Sequence, residues 1–304
     1  MLAARLRGLV TERKVCMSSS VPCESAVASH THTSYRRALL ALQASQVPFL
    51  VGGAYALAYY TGIDRDTKDV DIFVHPSMCA RTLEVLRATG YSTELTFPHW
   101  LGKALCGEGC IDVIFSSGNG IAQVDETWFM HAVAGNVFGI PVQLCPPEEM
   151  LWSKSYVMER ERYDGADVMH LLHAYGEQFD WPRLLERFGS HWRVLFSHLI
   201  LFGFVYPAEQ AQIPAWVMQE LLHRLQDERH SAPPLDQLCQ GTLLSRAQYC
   251  IDINGWGYRD ARLTPTGRMT AADIAHWTAA IAGMAGKGDA NDNPTEEHTS
   301  SGRR

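Results

Sequence analysis

Residues 50–74 read LVGGAYALAYYTGIDRDTKDVDIFV, and this stretch constrains the chain more than any other. Asp69-Val70-Asp71 runs on into Ile72, Phe73 and Val74, first alternating and then apolar, which is the pattern of a β-strand. A side-chain period of two places Asp69 and Asp71 on one face of that strand. Two carboxylates facing the same way repel unless a cation lies between them or one is protonated. Their hard oxygens suit Mg²⁺, which takes one or two carboxylates together with phosphates and water. Upstream, Val47, Phe49, Leu50 and Val51 around Pro48 form a short buried strand. Gly52-Gly53 ends it before a helical run over 54–60. A strand, a glycine turn and a helix N-terminus make a seat for phosphate: backbone N–H groups reach the anion, and the helix end is partly positive.

Taken together, Gly52-Gly53 followed by Arg65, Thr67, Asp69 and Asp71 resembles the nucleotidyltransferase superfamily that includes DNA polymerase beta. That family is marked by a Gly-Gly or Gly-Ser turn followed by an Asp-x-Asp strand. The resemblance implies a third carboxylate on a neighbouring strand, and Asp112 in Cys110-Ile111-Asp112-Val113-Ile114-Phe115 takes that place. An unpaired acid in so apolar a strand is expensive without a ligand; a buried structural Asp is the other reading. The implied fold is α+β: a small mixed β-sheet nucleotidyltransferase domain with flanking helices, followed by a helical domain. The implied reaction moves an NMP group from an NTP, ATP first, to an acceptor hydroxyl and releases pyrophosphate. Asp69, Asp71 and Asp112 would hold two Mg²⁺ ions, or Mn²⁺ in their place, with Asp112 as general base.

Gly52, Gly53, Arg65, Thr67 and Lys154 would bind the nucleotide. Lys154 enters by a looser resemblance, to minimal and toxin-type members in which a helix after the sheet supplies a lysine to the triphosphate. Residues 162–167, Arg-Tyr-Asp-Gly-Ala-Asp, are similar to an Arg-x-x-Asp element that follows it. The plainer reading of Lys154, Arg160, Arg162, Asp164 and Asp167 is a solvated helix face with pairs such as Arg160 to Asp164. Other functions on the same fold are a toxin-like enzyme modifying tRNA or protein, or a nucleotide-binding protein that has lost catalysis. Three mutually repelling acids argue against lost catalysis, and the fold by itself does not choose an acceptor.

The chain has 304 residues, enough for about two domains, and is 46% hydrophobic. Its net charge of −7 gives no broad attraction to nucleic acid, although a local basic patch keeps such a substrate open. Eight cysteines without a CxxC pair read as reduced thiols, with Cys106 and Cys110 expected to face each other across a turn. His170 and His173 lack a third metal ligand and read as packing or surface residues. No apolar run reaches the roughly 18 residues of a membrane span. Arg5 and Arg7 divide what would be the apolar part of a secretory signal, so a cytoplasmic protein is expected.

The expected organisation is a flexible segment over 1–33, a catalytic domain over 34–147 and a helical domain over 148–232. A partly helical segment over 233–285 and a disordered tail over 286–304 complete it. Within these, helices are expected over 34–46, 78–89 and 125–131, with a hairpin over 99–116 and a single strand over 136–144. One long helical segment over 148–175 is expected to be interrupted near Asp164-Gly165. Further helices are expected over 181–188, 191–204 and 214–225, and a last one over 271–282 with Thr270 as its N-cap.

Overall fold

The computed structural model describes residues 26–107, 109–230 and 236–288. Most of the segment over 1–33, with Cys16 and Cys23, and the chain beyond 288 lie outside the described residues. The first helix, α1 (Ala26–Ala44), starts ahead of Ser34 and buries Tyr35, Leu39 and Leu42, as their spacing requires. Strand β1 (Leu50–Val51) leads into α2 (Gly53–Thr61), and β2 (Asp69–Phe73) follows. In β2, Val70 and Ile72 are fully buried while Asp69 is exposed and Asp71 half-buried, so the two acids do share a face. After α3 (Cys79–Ala88) come β3 (Ser92–Phe97), β4 (Leu101–Cys106) and β5 (Gly109–Ile114).

Helix α4 (Glu126–Met130) begins where the Asp125 carboxylate accepts the Thr127 N–H at 3.0 Å, an N-cap that ends a donor's isolation. The single strand expected over 136–144 is instead a hairpin, β6 (Val133–Val137) and β7 (Ile140–Leu144). Phe138 and Gly139 both adopt positive φ, 54° and 73°, in the left-handed turn that twisted hairpins favour, and Phe gives no warning of it. The sheet is mixed, seven-stranded, in the order β3-β4-β5-β2-β1-β7-β6. Its centre is parallel where β2 meets β5 and where β1 meets β7, and antiparallel elsewhere. Cys106 pairs with Gly109 and Leu105 with Cys110, so Cys106 and Cys110 lie on opposite faces rather than facing each other.

The long helical segment also divides more than its sequence suggests. Helix α5 (Pro147–Lys154) stops well before α6 (Gly165–Tyr175), and an irregular loop with a bridge between Met158 and Tyr163 joins them. Then α7 (Trp181–Phe188), α8 (Trp192–Val205) and α9 (Ala215–His230) pack in succession. The remainder forms β8 (Leu238–Cys239), α10 (Cys250–Asn254), β9 (Arg259–Asp260) and α11 (Ala271–Gly288), with β8 and β9 paired in parallel. Thr270 opens α11 as expected: its hydroxyl accepts from the Asp273 N–H, and the Asp273 carboxylate accepts from the Thr270 N–H. Buried apolar side chains from Tyr35 to Ala261 form one continuous core. No helix among the described residues is long and apolar enough to cross a membrane.

Charges are buried where α4, α5 and α7 meet. Arg183 bridges Glu148 and Glu149, and Arg187 reaches Glu149 at 3.1 Å and both Asp125 oxygens at 2.7 and 2.9 Å. Glu149 is fully buried, so its charge depends on these two guanidinium groups. Removing one partner of such a set strands the other charge in a low-dielectric interior. Arg183→Ala is therefore expected to lower stability by about 3 to 5 kcal/mol in urea unfolding, with Lys in its place recovering only part of the loss.

Candidate active site

Asp71 and Asp112 are brought together by strand pairing. The parallel ladder between β2 and β5 sets Asp71 directly against Asp112, with Asp69 against Cys110 one step along the same face. Gly53, the first residue of α2, stands over this pair with φ of 54°. A β-carbon built there would lie 1.7 Å from an Asp71 carboxylate oxygen, so glycine is required both by conformation and by space. The Gly52 N–H donates to the Asp71 carbonyl at 3.0 Å, fastening the turn to the acid strand. The leading N–H groups of α2 have no carbonyl of their own helix to bond, which leaves donors for an anion.

These groups line a cavity of about 230 Å³. Gly53, Asp71 and Asp112 form one side, and Lys154, Arg162 and Arg246 bring positive charge to it. Of the site residues expected from the sequence, Gly53, Asp71, Asp112 and Lys154 thus converge on the cavity, and so do Arg162 and Asp164 of the 162–167 element. Gly52, Arg65, Thr67 and Asp69 are not among its lining residues. Arg65 pairs with Asp167 at 2.5 Å, and the Thr67 hydroxyl donates to the Asp69 carboxylate.

Lys154 does not lie on a solvated face. Its ammonium group is held at 3.0 Å by Asp164 and at 2.8 Å by Asp167, and its side chain is only 15% exposed. Asp164 is met by Arg162 through two hydrogen bonds, 2.9 and 3.0 Å, in place of the expected Arg160 partner. Helix α5 ends before this loop, so the i,i+4 geometry that would have favoured Arg160 never forms. Burial alone would raise the Asp164 pKa; Arg162 and Lys154 outweigh it and hold the carboxyl below its usual range. Asp71 has no such partner among the described residues, and its pKa is raised to about 7. Burial is the main cause, followed by the nearby charges of Asp112 and Asp69, with Lys154 and Arg162 opposing them.

The opposite wall comes from residues whose role the sequence did not disclose. Arg246 pairs with Glu159 at 3.2 Å and lies over the Trp277 ring, 5.6 Å from its centre. Trp277 packs so closely on Gly118 that a β-carbon there would come within 2.5 Å of the indole. The stretch after 236 therefore wraps back on the sheet and walls one side of the cavity, with Trp100 lining it as well. Only Gly118, small where an aromatic ring must approach, leaves a trace of this wall in the sequence.

No family model matches the chain, and no curated protein matches it. Solved structures do, over part of its length. The antibiotic-resistance factor ANT(2'')-Ia is 17% identical with a TM-score of 0.39, over 56% of this chain and 97% of that one. The lincosamide antibiotic adenylyltransferase LnuA, in a lincomycin-bound structure, is 17% identical with a TM-score of 0.35, over 46% and 94%. An antigenic nucleotidyltransferase-like protein from Paracoccidioides brasiliensis is 15% identical with a TM-score of 0.32, over 56% and 92%. What the chain does has to be argued from the residues of the cavity.

Gly53→Ala forces a side chain into the Asp71 carboxylate at a left-handed position. It is expected to lower the unfolding midpoint and to move Asp71 out of register with Asp112, whereas Gly62→Ala, also at positive φ but with open space around it, is expected to cost only backbone strain of about 1 kcal/mol. Paired thermal unfolding curves check the difference.

Proposed function

We propose that the protein is a metal-dependent nucleotidyltransferase that moves an NMP group from an NTP, ATP first, to an acceptor hydroxyl and releases pyrophosphate. The observation that carries this reading is the register of Asp71 against Asp112 beneath the N-terminus of α2, in a cavity that also holds Lys154, Arg162 and Arg246. Acid oxygens and phosphate donors are set side by side, as phosphoryl-group chemistry needs.

The donor set fits a divalent cation. Asp71 is a crowded carboxylate without an ion pair or side-chain hydrogen bond among the described residues, and burial first, then the neighbouring acids, raises its pKa. Hard oxygens in that condition suit Mg²⁺ or Mn²⁺. Bound there, the metal would offset triphosphate charge and lower the pKa of the acceptor hydroxyl.

The residues of the chain then divide the work. Backbone N–H groups at Gly53 and the start of α2 take phosphate oxygens. Lys154 and Arg162, held by Asp164, stand ready to balance charge as it moves onto the leaving pyrophosphate. Arg65, on the far side of Asp167 from Lys154, supports that lysine through their shared acid. Asp112 accepts the acceptor's proton while the new oxygen–phosphorus bond forms and the bond to pyrophosphate breaks.

Incubation with each isotopically labelled NTP and a metabolite extract, followed by mass spectrometry, should show a labelled NMP adduct and free pyrophosphate, both abolished by a chelator. Asp112→Asn should leave NTP affinity within a few-fold and slow single-turnover transfer by about 10² to 10⁴-fold. Asp71→Asn should abolish metal-dependent NTP binding while the folded state persists. A parent-like transfer rate in both variants would remove the acids from the reaction.

Lys154→Ala separates triphosphate recognition from a structural role. Loss of one charge-assisted contact should weaken NTP binding by about 1.5 to 3 kcal/mol and affect NMP binding much less. Calorimetric titration of both nucleotides decides it, and equal losses would return Lys154 to its ion pairs with Asp164 and Asp167 alone.

A further inference from the structure

Asp112 already has a cation. Lys103 lies directly across from it in the β4–β5 ladder, and its ammonium group donates to Asp112 Oδ1 at 2.7 Å. The Cys110 thiol donates to the same oxygen at 3.2 Å. Asp69, the other acid that a second metal ion would need, is engaged by the Thr67 hydroxyl. Among the described residues no three His, Cys, Asp or Glu side chains are gathered to hold a metal by themselves, so an ion here would draw further ligands from phosphates and water, as Mg²⁺ does. The three acids therefore do not present two equivalent metal positions. Asp71 has no ion pair or side-chain hydrogen bond among the described residues, whereas Asp112 is paired, and one of its oxygens is taken twice.

The ammonium group occupies Oδ1, and an ion on Oδ2 of the same carboxylate would lie close enough to it for strong repulsion in a partly buried site. Lys103 and a second ion are thus alternatives at Asp112. We infer that the protein binds a single divalent ion with its nucleotide, held by Asp71, and that Lys103 supplies the positive charge a second ion would otherwise bring. The inference rests on the nucleotidyl-transfer reading and changes its metal count. Lys103 acts through Asp112 and is a positioning residue. By holding Oδ1 together with the Cys110 thiol, it presents Oδ2 to the acceptor. The acceptor O–H gives its proton to Oδ2, its oxygen bonds to the α-phosphorus, and the α,β-bridging oxygen leaves with its electron pair in pyrophosphate.

A cross-strand pair serving only to strengthen the hairpin would have the same distance but not the same metal stoichiometry. Mn²⁺ bound per chain is counted by electron paramagnetic resonance in the presence of a non-hydrolysable α,β-methylene NTP. The parent and Lys103→Arg are expected to bind one ion, and Lys103→Met two, because the freed Asp112 becomes a ligand. In the same variants, the single-turnover rate should rise with the first power of Mg²⁺ concentration in the parent and with the second power in Lys103→Met. At low Mg²⁺ the Met variant should be slower by about 10²-fold and should recover as Mg²⁺ is raised. Two ions in the parent, or a Met variant with one ion and the parent's rate, overturns the inference while leaving the transferase reading in place. A parent that binds no NTP overturns both. If Lys103→Met does not fold, the parent and Lys103→Arg stoichiometries still decide.

Discussion

The alignment of Asp71 with Asp112 on adjacent parallel strands is the constraint to which the surrounding structure responds. Two carboxylates on one face of a sheet cost free energy through burial and mutual repulsion, and each neighbour answers part of that cost. Lys103 answers Asp112 from the next strand. Gly53 gives up a side chain so that Asp71 can turn toward the helix end. Asp71 alone is left without a direct partner among the described residues, its charge met only at a distance by Lys154 and Arg162.

A second layer of charge works differently. Lys154 and Arg162 line the cavity and are met by Asp164 and Asp167, and Arg65 pairs with Asp167 from outside it. In this arrangement the cations are already oriented, since their carboxylates restrict the rotamers of long side chains before any anion arrives. The arriving phosphates would exchange partners with carboxylates rather than draw cations out of water. Preorganisation of this kind reduces the rearrangement needed when charge shifts during group transfer.

The acids were legible in the sequence because period-two alternation is a local signal, and Gly52-Gly53 lies one helix away from them. The hairpin carrying Asp112 was legible for the same reason. Its register was also countable: once the turn at Gly107 is fixed, Lys103 must oppose Asp112. Strand β3 gave no such signal. Its residues STELTF are exposed or half-buried throughout, so no apolar period marks them. The hairpin of β6 and β7 was hidden by a Phe in a left-handed position, and the gap between α5 and α6 by a polar run that fits helix and loop equally well. Arg246 and Trp277 could not be placed at the site at all. Their contacts with Glu159 and Gly118 span more than a hundred positions in Trp277's case, and pattern arguments do not reach across that distance.

That separation also orders events during synthesis. The sheet, the glycine turn and both central acids are complete once the β6–β7 hairpin has emerged, yet the wall formed by Trp277 belongs to the last described helix. At translation rates of about 5 to 20 residues per second, an acid-lined groove would stand open for several seconds or more before its aromatic wall exists. During that interval the groove is reachable from the side that Trp277 later covers, and the full lining of the cavity exists only once the C-terminal helix has docked.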